Sequence, residues 1–101
     1  MSSTTLEATS AEARAQTISA IGDPIRLRIL EMLTPGGRFV CDIQEGIGVA
    51  ANLLSYHQRV LREAGLVEAE RRGRWVDCRL APDPSAIVTE ALPRGAIEGN
   101  P

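Results

Sequence analysis

Two cysteines, one histidine and a cluster of arginines are the side chains here that could do chemistry beyond packing. Cys41 stands in the stretch RFVCDI, residues 38–43, and Cys78 closes the stretch WVDC, residues 75–78. A cysteine can be a nucleophile, a soft-metal ligand, a redox sensor or a small apolar residue in a core. The sole histidine is His57, and all eleven basic residues are arginine. Arg59, Arg62, Arg71, Arg72 and Arg74 lie close in sequence to Glu63, Glu68 and Glu70, five cations against three anions, a local balance of +2. Arginine forks onto phosphate oxygens and guanine edges, so such a cluster can matter even in a chain of net charge −2 and pI near 5.4.

Catalysis is the weakest of these chemistries. A thiol enzyme needs a base beside its cysteine, and His57 falls on a different helix face from Cys41. No glycine-rich phosphate loop and no pair of carboxylates spaced for acid–base work occurs in the sequence, so the chain is not read as an enzyme. At 101 residues, 44% apolar and 24% charged, it is expected to form one small globular domain. No apolar run is long enough to span a bilayer, and MSSTTLEATSAEARAQ has neither the basic start nor the apolar segment of a signal peptide. The expectation is a cytoplasmic protein without membrane attachment, whose thiols rest reduced.

The elements that must position these side chains can be read in order. Residues 1–9 are small and polar and are expected to be a flexible arm. Ala11, Ala15, Ile18 and Ile21 recur at helical spacing, which predicts a helix over 10–21, broken by Gly22. Asp23-Pro24 starts a second helix to about Leu33, the aspartate capping free N–H groups and the proline tolerating the first position. Thr34-Pro35-Gly36-Gly37 ends it, Arg38–Val40 reads as a single-bridge strand, and a short helix runs from Asp42 to about Gly46. A tight turn leads into a helix over 50–64, with an inward stripe of Leu54, His57, Leu61 and Ala64 and with Gly65 as its cap. Period two then takes over. Leu66–Arg71 and Trp75–Leu80 form a hairpin tipped by Gly73, with Val76, Cys78 and Leu80 on one face. Asp83-Pro84 starts a last short helix to Leu92, and 93–101 is expected to be a flexible tail.

The fold class is therefore mainly α with a β-hairpin: a winged helix-turn-helix domain over 10–92, with a recognition helix at about 50–64 and a wing at about 66–80. Three blocks, GDPIRLRILEML (22–33), VCDIQEGIGVAANLLSYHQRVLREAGLV (40–67) and RRGRWVDCRL (71–80), resemble the ArsR/SmtB family of bacterial metal- and stress-sensing regulators. The resemblance implies a homodimer paired through its first and last helices and a double-stranded DNA operator as partner. It places Asn52, Leu53, Ser55, Tyr56 and Arg59 on the face entering the major groove, and Arg71, Arg72 and Arg74 on phosphates or the minor groove. The chemistry agrees: an asparagine can pair bidentately with adenine, and arginine with guanine or phosphate.

The chain departs from its relatives at several positions. Many carry serine and glutamine where it has Ala50 and Ala51, and a core leucine where it has Gln58, an amide expected to be partly exposed or hydrogen-bonded. Thiol-sensing relatives hold a Cys-x-Cys pair in the segment that reads Phe39-Val40-Cys41 here, so one thiol is missing. Zinc-type relatives use the last helix, where only Asp83 and Glu90 are available. A winged helix pairs the strand at 38–40 with the second wing strand, which brings Cys41 towards Cys78. The two could bridge, could share a soft ion with Asp42 as third ligand, or could simply be packed. Nickel, zinc, cadmium and arsenite are not distinguished. His57 is expected at the core edge, bonded to backbone, and Trp75 to anchor the wing on the domain body.

Two functions compete. The first is a DNA-binding transcriptional regulator that binds its operator as a homodimer and responds to a metal ion or a thiol-reactive signal. The alternative is a winged-helix protein-interaction module acting through a partner protein encoded nearby, with weak or no DNA binding. Acidic net charge, Ala50-Ala51 and Gln58 motivate the alternative.

Overall fold

The computed structural model describes residues 2–93, with side chains from position 11 onward. Five helices and three strands follow one another as α1 (Ser2–Ile21), α2 (Pro24–Leu33), β1 (Arg38–Phe39), α3 (Val40–Ile47), α4 (Ala51–Glu63), β2 (Val67–Arg72), β3 (Trp75–Leu80) and α5 (Pro84–Ala91). This is the element order expected for a winged helix-turn-helix.

The start of the first helix differs from expectation. The helix expected to begin at Ser10 begins at Ser2, so the arm foreseen over 1–9 is helical from its second residue. No glycine or proline interrupts residues 2–21, so helix propensity alone carries α1 beyond the apolar stripe that suggested the later start. Of the tail foreseen over 93–101, all but Pro93 lies outside the described residues. On α1 the buried positions are Thr17 and Ala20, whereas Ala11, Ala15 and Ile18 face solvent. The first three residues of the stripe look away from the rest of the protomer, and Ile21 alone packs against the core.

Local chemistry sets the ends of the helices. Asp23 accepts hydrogen bonds from the backbone N–H of Ile25 (2.8 Å) and Arg26 (3.2 Å) at the start of α2, and Asp83 accepts one from Ala86 (3.1 Å) at the start of α5. At the end of α4 the Gly65 N–H bonds to the Arg62 carbonyl (2.9 Å) and the Leu66 N–H to that of Leu61 (3.0 Å). With Gly65 at φ +77°, these two bonds make a Schellman cap, and Leu61 and Leu66 are both buried, as that motif favours. The chain leaves α4 through this cap directly into the wing.

The core joins Ile29 and Leu33 of α2, Ile43 of α3, Leu54 and Leu61 of α4, and Leu66, Val67 and Cys78 at the wing base. The sheet order is β1-β3-β2, all antiparallel, with Arg38 opposite Cys78 and Phe39 opposite Asp77. β2 and β3 turn through Gly73-Arg74, with positive φ at Gly73 only. α2 and α3 approach closely where Gly46 meets Met32; a Cβ on Gly46 would lie 2.6 Å from the Met32 methyl.

Two stability measurements follow. Gly65→Ala places a Cβ on left-handed backbone and is expected to lower the unfolding free energy by about 1–2 kcal/mol in urea titration. At Asp23 partial burial acts to raise the carboxyl pKa. The Arg26 and Ile25 amide hydrogen bonds and the Arg26 charge outweigh it, so the group sits below its ordinary 3.8. A depressed carboxyl stabilises the fold above its unfolded pKa. Asp23→Ala is thus expected to cost about 1 kcal/mol at pH 7, a difference that shrinks as pH falls below about 4 and through the lowered folded value.

Candidate nucleic-acid interface

α4 is two-faced. Its inner side carries Leu54, His57, Gln58 and Leu61, all buried, and its outer side carries Asn52, Leu53, Ser55, Tyr56 and Arg59, all exposed. The outer set is the one expected from sequence, with Leu53 and Tyr56 left 40% and 47% accessible, high for side chains of their size. Ala50, the N-cap residue, supplies no side-chain acceptor. The first N–H groups of the helix are therefore left for water or for an anionic oxygen.

The inner side is more polar than its stripe suggested. His57 was expected to bond to backbone; instead its Nδ1 accepts from the Arg26 guanidinium at 2.8 Å. Arg26 is itself buried, and its Nε donates to the Ala20 carbonyl at 2.7 Å. Sequence reasoning missed Arg26, although it stands three residues before Ile29 and seven before Leu33, on the buried stripe of α2. Gln58, expected to be partly exposed or hydrogen-bonded, is buried beside the Cys78 thiol. No buried side-chain nitrogen or oxygen among the described residues lacks a partner.

On the wing, Arg71, Arg72 and Arg74 are all exposed near the tip, but they are not equivalent. Arg72 is held by Glu70 and Asp77, each at 3.2 Å, and Arg79 by the same two carboxylates at 3.3 and 3.0 Å. This four-residue ladder lies across β2 and β3 and is locally neutral. Arg71 reaches only the Gly73 carbonyl, at 3.4 Å, and among the described residues neither Arg59 nor Arg74 makes an ion pair. Trp75 does not bury itself against the domain body. It stays 48% exposed and packs on Phe39, ring centroids 6.0 Å apart.

The two cysteines part company. Cys41 lies in the first turn of α3 and is exposed, Asp42 beside it is exposed too, and Cys78 is only 1% accessible under Gln58. Both thiols are free. Among the described residues no group of three His, Cys, Asp or Glu side chains could hold a metal ion, so Cys41, Cys78 and Asp42 do not form a metal site within the protomer. Burial pushes the Cys78 thiol above its ordinary value; Gln58 and Arg62 oppose the rise and Asp77 adds to it. With a maleimide at neutral pH, Cys41 is expected to label rapidly and Cys78 only at the rate of unfolding. Mass spectrometry of native and urea-treated protein reads this directly.

These features match known proteins. The helix-turn-helix domain family matches residues 21–70. The helix-turn-helix-type transcriptional regulator NmtR of Mycobacterium tuberculosis is 41% identical over 69 residues, 68% of this chain and 58% of NmtR. A crystal structure of a possible transcriptional regulator for arsenical resistance superposes with a TM-score of 0.69 at 31% identity, covering 74% of this chain and 78% of that one. The homodimeric winged helix-turn-helix DNA-binding domain of a possible ArsR-family regulator from Mycobacterium bovis gives a TM-score of 0.72 at 28% identity, covering 84% and 77%. The chain spans about six tenths of the length of NmtR and of the SmtB repressor of M. tuberculosis. No helix among the described residues is long and apolar enough to cross a membrane. In sequence, in element order and in the two-faced α4 followed by a wing, the chain belongs to the ArsR/SmtB family of winged helix-turn-helix transcriptional regulators.

Proposed function

We propose that this regulator binds a double-stranded operator as a homodimer, with α4 in the major groove and the wing against the backbone. The observation that carries the reading is the outer face of α4, where Asn52, Ser55, Tyr56 and Arg59 are exposed while every inner residue is pinned. Asn52 would read adenine, Arg59 guanine or phosphate, and Ser55 and Tyr56 would donate to phosphate. Arg74 and Arg71 would neutralise phosphates at the wing tip, whereas Arg72 would first have to leave Glu70 and Asp77.

Dimerisation fits the outward stripe of α1. Ala11, Ala15 and Ile18 offer small and apolar side chains to a second copy, and the M. bovis domain is described as homodimeric. For the signal, Cys41 is the thiol that an oxidant, an electrophile or a soft ion would meet first, with Asp42 adjacent. An ion held there would draw further ligands from outside the protomer. Gln58 is buried on the inner side of α4, away from the groove-facing residues.

Fluorescence anisotropy on DNA from upstream of the protein's own operon tests the reading. Binding is expected to weaken linearly in a log–log plot against salt. Arg59→Ala and Asn52→Ala are each expected to cost about tenfold or more at a matched site. Arg74→Ala should reduce the salt slope by about one unit and weaken all sequences alike. Arg72→Ala is expected to have a smaller effect than Arg74→Ala. No salt-dependent binding, together with co-purification of a neighbouring gene product, would replace this reading with the interaction module.

A further inference from the structure

Arg26 is the one buried arginine among the described residues, and its side chain ties three helices together. Nε donates to the Ala20 carbonyl at 2.7 Å, one terminal nitrogen to the Ser19 carbonyl at 3.3 Å, and the other meets His57 Nδ1 at 2.8 Å. Ser19 and Ala20 belong to the last turn of α1, where carbonyls lack helical partners and the helix dipole is negative. A guanidinium there closes the end of α1 from outside. Because arginine only donates, Nδ1 of His57 must present its lone pair and the imidazole must be neutral, with its proton on Nε2. The planar fork fixes its donors relative to one another, so the end of α1 and the inner face of α4 are set at one mutual angle.

We infer that Arg26 is a positioning residue: through His57 it fixes the pose of α4 on α1, and thereby the spacing of the two half-sites that a dimer reads. The inference rests on the operator-binding homodimer proposed above. In a dimer built on α1, the path from the two-fold axis to each groove-facing helix runs through the junction that Arg26 bridges. His57 sits beside Tyr56, ring centroids 5.2 Å apart, and two residues before Arg59 of the outer face. A tilt of α4 at this bond swings the base-reading side chains, and the apolar contacts of Leu54 and Leu61 with Ile29 and Leu33 tolerate small rotations better than the hydrogen bond does.

The experiment uses the full chain and a set of operators whose half-sites are moved apart or together one base pair at a time. Wild type is expected to favour one spacing by about tenfold or more, since half-site separation follows the helical repeat of DNA. His57→Leu removes the acceptor while keeping an apolar filling, and is expected to lose about tenfold at the best spacing and little elsewhere, flattening the profile. His57→Asn returns an acceptor oxygen close to the position of Nδ1 and is expected to restore the preference. A role confined to stability would lower affinity alike at every spacing. Should His57→Leu fail to fold by circular dichroism, Arg26→Lys, which keeps the charge but not the fork, is measured in its place. A profile unchanged in the variant overturns the inference and leaves operator binding standing. A wild type that binds no operator of the set overturns both.

Discussion

The inner face of α4 is the constraint on which the rest of the domain depends. A helix that offers its outer side to another molecule must be held entirely from behind, and four side chains do this: Leu54, Leu61 and Gln58 by burial, and His57 by its hydrogen bond with Arg26. The two kinds of restraint are complementary. Apolar burial gives most of the attraction but tolerates small rotations, whereas a hydrogen bond buried with a charged partner fails sharply when misaligned. His57 points towards α2 and α1, and Gln58 towards the wing through Cys78. α4 is therefore tied to both flanks of the molecule through adjacent residues.

How much of this was legible in the sequence depends on how local each determinant is. The starts of α2 and α5 were readable because Asp23-Pro24 and Asp83-Pro84 act within one turn of themselves. The end of α4 was readable because Gly65 needs no distant partner to adopt its backbone. The hairpin and its tip followed from alternation and from Gly73, but its register did not: Arg72, expected in the loop, pairs with Trp75 across a two-residue turn. Arg26 was not readable in the same way. Its position on the buried stripe is visible in hindsight, but a cation there is tolerable only because carbonyls of α1 and a neutral imidazole of α4 converge on it. That convergence is tertiary. The same holds for Arg72, whose Asp77 partner depends on the antiparallel register, and for the stripe of α1, whose periodicity was readable while the direction it faces was not given by the sequence.

The wing illustrates how an acidic protein can still present a cationic tip. Glu70, Arg72, Asp77 and Arg79 neutralise one another along the strands, each exposed pair adding at most about 1 kcal/mol to stability. What the ladder does more effectively is sort the charges. Arg71 and Arg74 are left at the turn without carboxylate partners, so the positive potential is concentrated at the far end of the hairpin and not spread along it.

The pairing of Phe39 with Trp75 has a consequence for what position 39 can hold. Thiol-sensing relatives keep one cysteine of a Cys-x-Cys pair in this segment, and this chain instead packs an aromatic ring there, tilted by 39°, on a tryptophan from the facing strand. Each ring covers part of the other, so a cysteine at position 39 would uncover an indole already half exposed. Installing the thiol pair would therefore call for a compensating change at Trp75, and Cys41 must draw any further ligands from a different neighbourhood.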